Sequence, residues 1–104
     1  MTRVYISGAI TGTKDYMERF AMAELKLLGL GYEVVNPSTI LSHIPTTSTH
    51  DEYMHISYAL MDICNAIYMM DGWRESKGAK LEYDYAYNKE MRLIYNSKQE
   101  HPSL

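Results

Sequence analysis

The 104-residue chain carries one cysteine, Cys64. That excludes a disulfide framework and predicts a reducing compartment. No apolar run approaches the ~18 residues of a membrane span, and the N-terminus lacks the apolar core of a signal peptide. Lysines and arginines are scattered, the formal charge is −3 and the pI is near 5.7. The basic footprint that polymeric DNA or RNA requires is therefore missing. His43, His50, His55 and His101 have no zinc-like spacing, and no second cysteine completes a ligand set. No metal and no cofactor are expected. Cys64 falls in an apolar helix-to-strand junction, which predicts a buried structural thiol.

What is present fits one domain large enough for a real core, with an ordinary apolar and charged balance. Ten tyrosines are unusual at this length. Tyrosine offers contact area at small entropic cost, so it suggests an oligomer interface or a stacking pocket.

The chain is organised around Asp71-Gly72-Trp73-Arg74-Glu75-Ser76-Lys77-Gly78-Ala79-Lys80-Leu81-Glu82. An apolar run at 66–70 precedes it, short enough for a buried strand. Ser76 is placed to cap a helix over 77–88. A strand feeding a capped helix sets backbone N–H donors at the sheet's carboxyl edge, where ligands of open α/β sheets bind. Glu82 lies roughly 9 Å along that helix. Its neighbours at i−4, i−3 and i+4 are Gly78, Ala79 and Ala86, which leave room beside a carboxylate. The same small residues would equally let the helix pack closely on a sheet, with Glu82 at its solvent edge.

In order along the chain, residues 3–7 read as a central buried strand ending at Gly8. Gly8, Ala9, Ile10, Thr11 and Gly12 then form a glycine-punctuated loop able to bring backbone amides to a phosphate or sugar, or simply to turn. A helix begins near Asp15, with Glu18 three residues on as in a capping box. Its stripe of Tyr16, Phe20, Ala23 and Leu27 covers the sheet, and Gly29 and Gly31 end it. Residues 32–35 form a second strand, closed by Asn36 and Pro37. Strand, helix, strand in this span make a right-handed parallel unit. Residues 38–50 are the longest irregular segment, with room for a helical turn at 39–43. Its two histidines, His43 and His50, could touch a ligand or, more commonly for loop histidines, face solvent. A helix over 51–63, the helix over 77–88 and a strand at 91–95 complete the domain. Residues 97–104 are expected to fray. The predicted fold is three-layer α/β, Rossmann-like or flavodoxin-like, with four to five parallel strands in the order 2-1-3-4.

Three motifs occur in sequence. They are Tyr5-Ile6-Ser7-Gly8-Ala9-Ile10-Thr11-Gly12, Gly31-Tyr32-Glu33-Val34-Val35-Asn36-Pro37, and Gly72-Trp73-x-x-Ser76-x-Gly78-Ala79-x-x-Glu82. Together, over roughly residues 3–95, they resemble the small nucleoside 2-deoxyribosyltransferase-like proteins, many of them phage-encoded. A more distant similarity is to the deoxynucleoside monophosphate N-glycosidases. The resemblance implies a sugar-binding cleft at the sheet's carboxyl edge, with Glu82 as nucleophile at the anomeric carbon and Tyr5 orienting it. Ser76 matches the residue that contacts the 5′ end of the sugar. Ser7, Asp71, Gly72 and Trp73 are further candidate ligand contacts, Trp73 either by stacking on the base or, equally, as a core plug or interface residue. The resemblance also implies an aspartate on the second helix to protonate the leaving base, but Ser57 occupies that position. Asp62 lies five residues later and is expected to point elsewhere. Ala9 and Thr11 stand where the monophosphate enzymes carry Ser and Arg, so a charge-assisted phosphate contact is absent.

Three expectations follow. One is an N-glycosidase or deoxyribosyltransferase acting on a nucleoside or nucleotide. Another is a silent binding protein that sequesters a nucleotide-derived signal of the ADP-ribose type, in a phage anti-defence role in host cytoplasm. The third is a flavodoxin-like scaffold for protein contacts. A homodimer or higher oligomer is expected, with no membrane partner.

Overall fold

A computed structural model describes residues 1–10 and 13–96. The expectations for Thr11, Gly12 and the 97–104 tail lie outside the described residues. Four strands, β1 (Arg3–Ser7), β2 (Glu33–Val35), β3 (Ala66–Met69) and β4 (Arg92–Tyr95), form one parallel sheet in the order β2-β1-β3-β4. This is the α/β architecture and strand order expected. Four helices connect and cover the strands: α1 (Tyr16–Gly29), α2 (Pro37–Leu41), α3 (His50–Asp62) and α4 (Lys77–Asn88). No helix among the described residues is long and apolar enough to cross a membrane.

The period-2 alternation of β1 divides the core in two. Val4 and Ile6 face α1, where they pack with Phe20, Ala23 and Leu27 and with Ala66 and Tyr68 of β3. Tyr5 faces the opposite way, into a cluster with Ile67, Met69, Met61 of α3 and Ala79 and Ala86 of α4. All of β1 from Val4 to Ser7 is buried, as a central strand flanked on both sides must be.

Local chemistry sets where helices start. Thr49 and Glu52 make a reciprocal capping box: Thr49 Oγ1 accepts from the Glu52 N–H at 3.1 Å, and Glu52 Oε1 from the Thr49 N–H at 2.8 Å. Helix α3 therefore begins at His50. The box expected at α1 does not form, because Asp15 turns to Arg19 (3.3 Å) and leaves the cap unmade. The segment from residue 38 is also less irregular than its composition suggests. Asn36 Oδ1 accepts from the Ser38 N–H at 3.0 Å and from its hydroxyl at 2.7 Å, and Pro37 sits at the first helical position, so α2 starts two residues before the expected turn. Ser76 caps α4 as expected, accepting from the Ala79 N–H at 3.2 Å. Cys64 is half-buried, with its thiol on the Leu60 carbonyl and burial pushing its pKa up to about 11.

Gly8 lies where β1 runs out beneath Met70. A Cβ there would sit 2.8 Å from Met70 Sδ and 3.1 Å from its Cβ. Gly8→Ala is expected to cost about 1–3 kcal/mol of stability by overpacking. In urea unfolding, Gly8→Ala combined with Met70→Ala should cost less than the two changes summed, because both act on one space.

Candidate functional site

Tyr5 in the middle of β1 and Glu82 in the second turn of α4 meet across the sheet's α3/α4 face. The Tyr5 hydroxyl donates to Glu82 Oε2 at 2.7 Å, and the Ser7 hydroxyl donates to Oε1 at 2.6 Å. Tyr5 and Ser7 project the same way because they are two apart on one strand. Ser57 of α3 is buried and lines the same hollow as Tyr5 and Glu82. Glu82 is only 7% exposed. It sits at the wall of a hollow of about 450 Å³, within the ordinary size range of small-molecule sites.

The electrostatics follow from that placement. Burial raises the Glu82 pKa, and hydrogen bonds from Ser7, Tyr5 and Ser57 pull it part of the way back. Burial, and then the charge of Glu82, hold the Tyr5 phenol well above its usual pKa, so it stays a donor. Among the described residues, the groups that reach the carboxylate are hydroxyls. Solvent is nearly excluded, and the carboxylate has two oriented donors on separate oxygens.

Of the candidate residues, the structure places Tyr5, Gly8, Ala9, Ile10, Ser76, Gly78, Ala79 and Glu82 around this hollow. Ser7 lies behind Glu82 and reaches the site through its carboxylate. Trp73 is elsewhere. Its ring is buried and stacks on Tyr83 at 4.7 Å, with the Arg74 guanidinium 4.7 Å from it, in the core cluster of Ile67 and Met69. Asp71 accepts from Asn96 Nδ2 at 2.9 Å, and Gly72 holds φ 82° to start a 3-10 turn over Trp73–Glu75. None of these three lines the hollow. Asp62 also points away, accepting from the Tyr85 hydroxyl at 2.6 Å. The small residues beside Glu82 serve two purposes. Ala79 and Ala86 pack into the core, while Gly78 faces His50 and Met54 of α3 across the hollow.

His43 does not line the hollow. His50 and Ser57, both noted in the sequence, line one side together with Tyr53 and Met54, which were not singled out. Their i, i+3, i+4, i+7 spacing puts them on one face of α3. The Thr49-x-x-Glu52 capping box marks that helix's start at the carboxyl edge, so this face was readable. Tyr16 and Phe20 of α1 line the other side, although their spacing reads as a plain core stripe. Among the described residues, no group of three His, Cys, Asp or Glu side chains is placed to hold a metal ion.

Fold and site together define a small parallel α/β domain with a buried, hydroxyl-held glutamate beside a ligand-sized hollow. The chain belongs to a family of domains of unknown function, DUF4406, whose model matches residues 2–95. No curated protein and no solved structure matches it.

Because the fold raises the Glu82 pKa above its ordinary 4.5, the neutral carboxyl is favoured more in the folded chain than in the unfolded one. That contribution is complete below the unfolded value and is lost as pH rises through the folded one. Stability measured by urea unfolding should therefore fall for the parent relative to Glu82→Gln as pH rises from about 4.5. Parallel curves for the two proteins would show the carboxyl to be solvated as in the unfolded chain.

Proposed function

We propose that the hollow binds a nucleoside or nucleotide-type ligand and that Glu82 attacks the anomeric carbon of its sugar. The single observation carrying this reading is the Glu82 carboxylate: buried, beside a ligand-sized space, with hydroxyl donors on both oxygens. A carboxylate fixed in this way can capture an oxocarbenium-like centre and form a glycosyl ester. The C1′–N bond breaks with its electron pair passing to the base, and a Glu82 oxygen bonds C1′. Water then attacks C1′, the carboxylate departs, and a proton is released. Tyr5 and Ser7 hold the carboxylate in one orientation and do not themselves supply protons. Ser76, which lines the hollow, would contact the 5′ end of the sugar, as the resemblance implies. The resemblance to nucleoside 2-deoxyribosyltransferase-like proteins supports the same assignment.

A second reading rests on a specific observation. The groups reaching Glu82 among the described residues are weakly acidic hydroxyls, and a neutral nucleobase leaves poorly without a proton. A protein of this kind would hold a nucleotide-derived ligand intact.

Incubation with a panel of nucleosides, nucleotides and dinucleotides, followed by chromatography for free base, separates these readings. Turnover of one member is expected, with Glu82→Ala lowering it by about 10³-fold or more and Tyr5→Phe by about 10²-fold. Tight binding without release, unaltered in Tyr5→Phe, favours the holding protein. The absence of both release and any thermal shift rules out a nucleotide site.

A further inference from the structure

We propose that the ligand carries a planar, positively charged aromatic base: in chemical class, a pyridinium N-glycoside. This rests on the nucleoside reading above and narrows it. Among the described buried residues that line the hollow, Glu82 is the one charged side chain. The other charged or readily charged lining groups, Glu75, Lys77 and His50, are exposed at its mouth. A buried carboxylate held by neutral hydroxyls alone keeps much of its desolvation penalty, and a cation placed against it offsets that penalty. A neutral base offers no such compensation.

The walls suit the same ligand. Tyr16, Phe20 and Tyr53 line the hollow with the thioether of Met54. Tyr16 and Tyr53 are the partly exposed rings, and Tyr16 rests edge to face on the fully buried Phe20 at 6.5 Å and 85°. Aromatic faces attract a flat cation through the ring quadrupole while also burying its apolar area.

The chemistry then closes without an acid. When the C1′–N bond of a pyridinium glycoside breaks, the electron pair passes to the ring nitrogen, which becomes neutral and departs unprotonated. A Glu82 oxygen forms the bond to C1′. Water displaces the carboxylate in the second step, and its proton goes to solvent. The hydroxyl-only surroundings of Glu82 are thus no handicap for this class, although they are one for adenine, cytosine or uracil.

Nicotinamide riboside and its uncharged 1,4-dihydro form have nearly the same outline and differ in charge. Calorimetric titration of both into the parent protein should show the cation binding at least about tenfold tighter. In Glu82→Gln that preference should shrink to within about threefold. Chromatography should detect free nicotinamide from the cation, with uridine left intact. Equal or tighter binding of the dihydro form to the parent overturns the proposal, and the nucleoside reading stands. Comparable cleavage of uridine overturns it in the same way. If neither riboside nor uridine binds, the nucleoside reading fails and takes this inference with it. The parent comparison alone decides the matter if Glu82→Gln does not fold.

Discussion

The contact between the Tyr5 hydroxyl and the Glu82 carboxylate joins the central strand to the helix that follows the third strand, across 77 positions of sequence. A carboxylate this deep is tolerable only if donors meet it, since an unpaired buried charge costs more than most single interactions return. Tyr5 and Ser7 meet that requirement from one strand, one on each oxygen. The rest of the layer is arranged to let them do so. Ala79 and Ala86 bring α4 down onto β1 and β3, and Ser57 reaches in from α3. Among the described residues, no buried side-chain nitrogen or oxygen lacks a partner, so the polar cluster is closed apart from its face on the hollow.

Five of the tyrosines, Tyr5, Tyr58, Tyr83, Tyr85 and Tyr95, pack in the same layer. Tyr58 and Tyr85 stack at 4.3 Å, and Trp73, Tyr83 and Tyr87 form a stacked row beside them. Together with Tyr5 and Tyr95 they surround the apolar residues between sheet and helices. Large rings with polar tips suit a thin layer, because one end packs while the hydroxyl reaches water or a partner such as Asp62. Tyr16, Phe20 and Tyr53 line the hollow together with Tyr5.

Trp73 shows what a motif leaves open about direction. Its place in a loop after a strand fits a ligand contact or a core plug. In the fold the 3-10 turn over Trp73–Glu75 folds the indole back onto Tyr83, and the turn's outer side carries the charged residues. Spacing places a residue at an edge. Which way a short turn rotates it depends on how the following helix, α4, settles on the sheet, and that docking is set by the core rather than by the motif.

Sequence alone determined the parts of this protein that arise from periodicity and local hydrogen bonding. Alternation and β-branched content mark β1 and β3, the Ser76 cap starts α4, and two strand–helix–strand units force a parallel sheet with β1 and β3 at its centre. Those constraints act over a few residues, so a few residues reveal them. Tertiary structure alone decided that Glu82 is buried rather than at a solvent edge. It likewise decided that Ser7 supports the carboxylate from behind, that Ser57 joins it, and that one face of α3 forms a wall opposite Tyr16 and Phe20. These depend on the distances at which separate helices settle on the sheet, and such distances are set by the packed volume of the whole core.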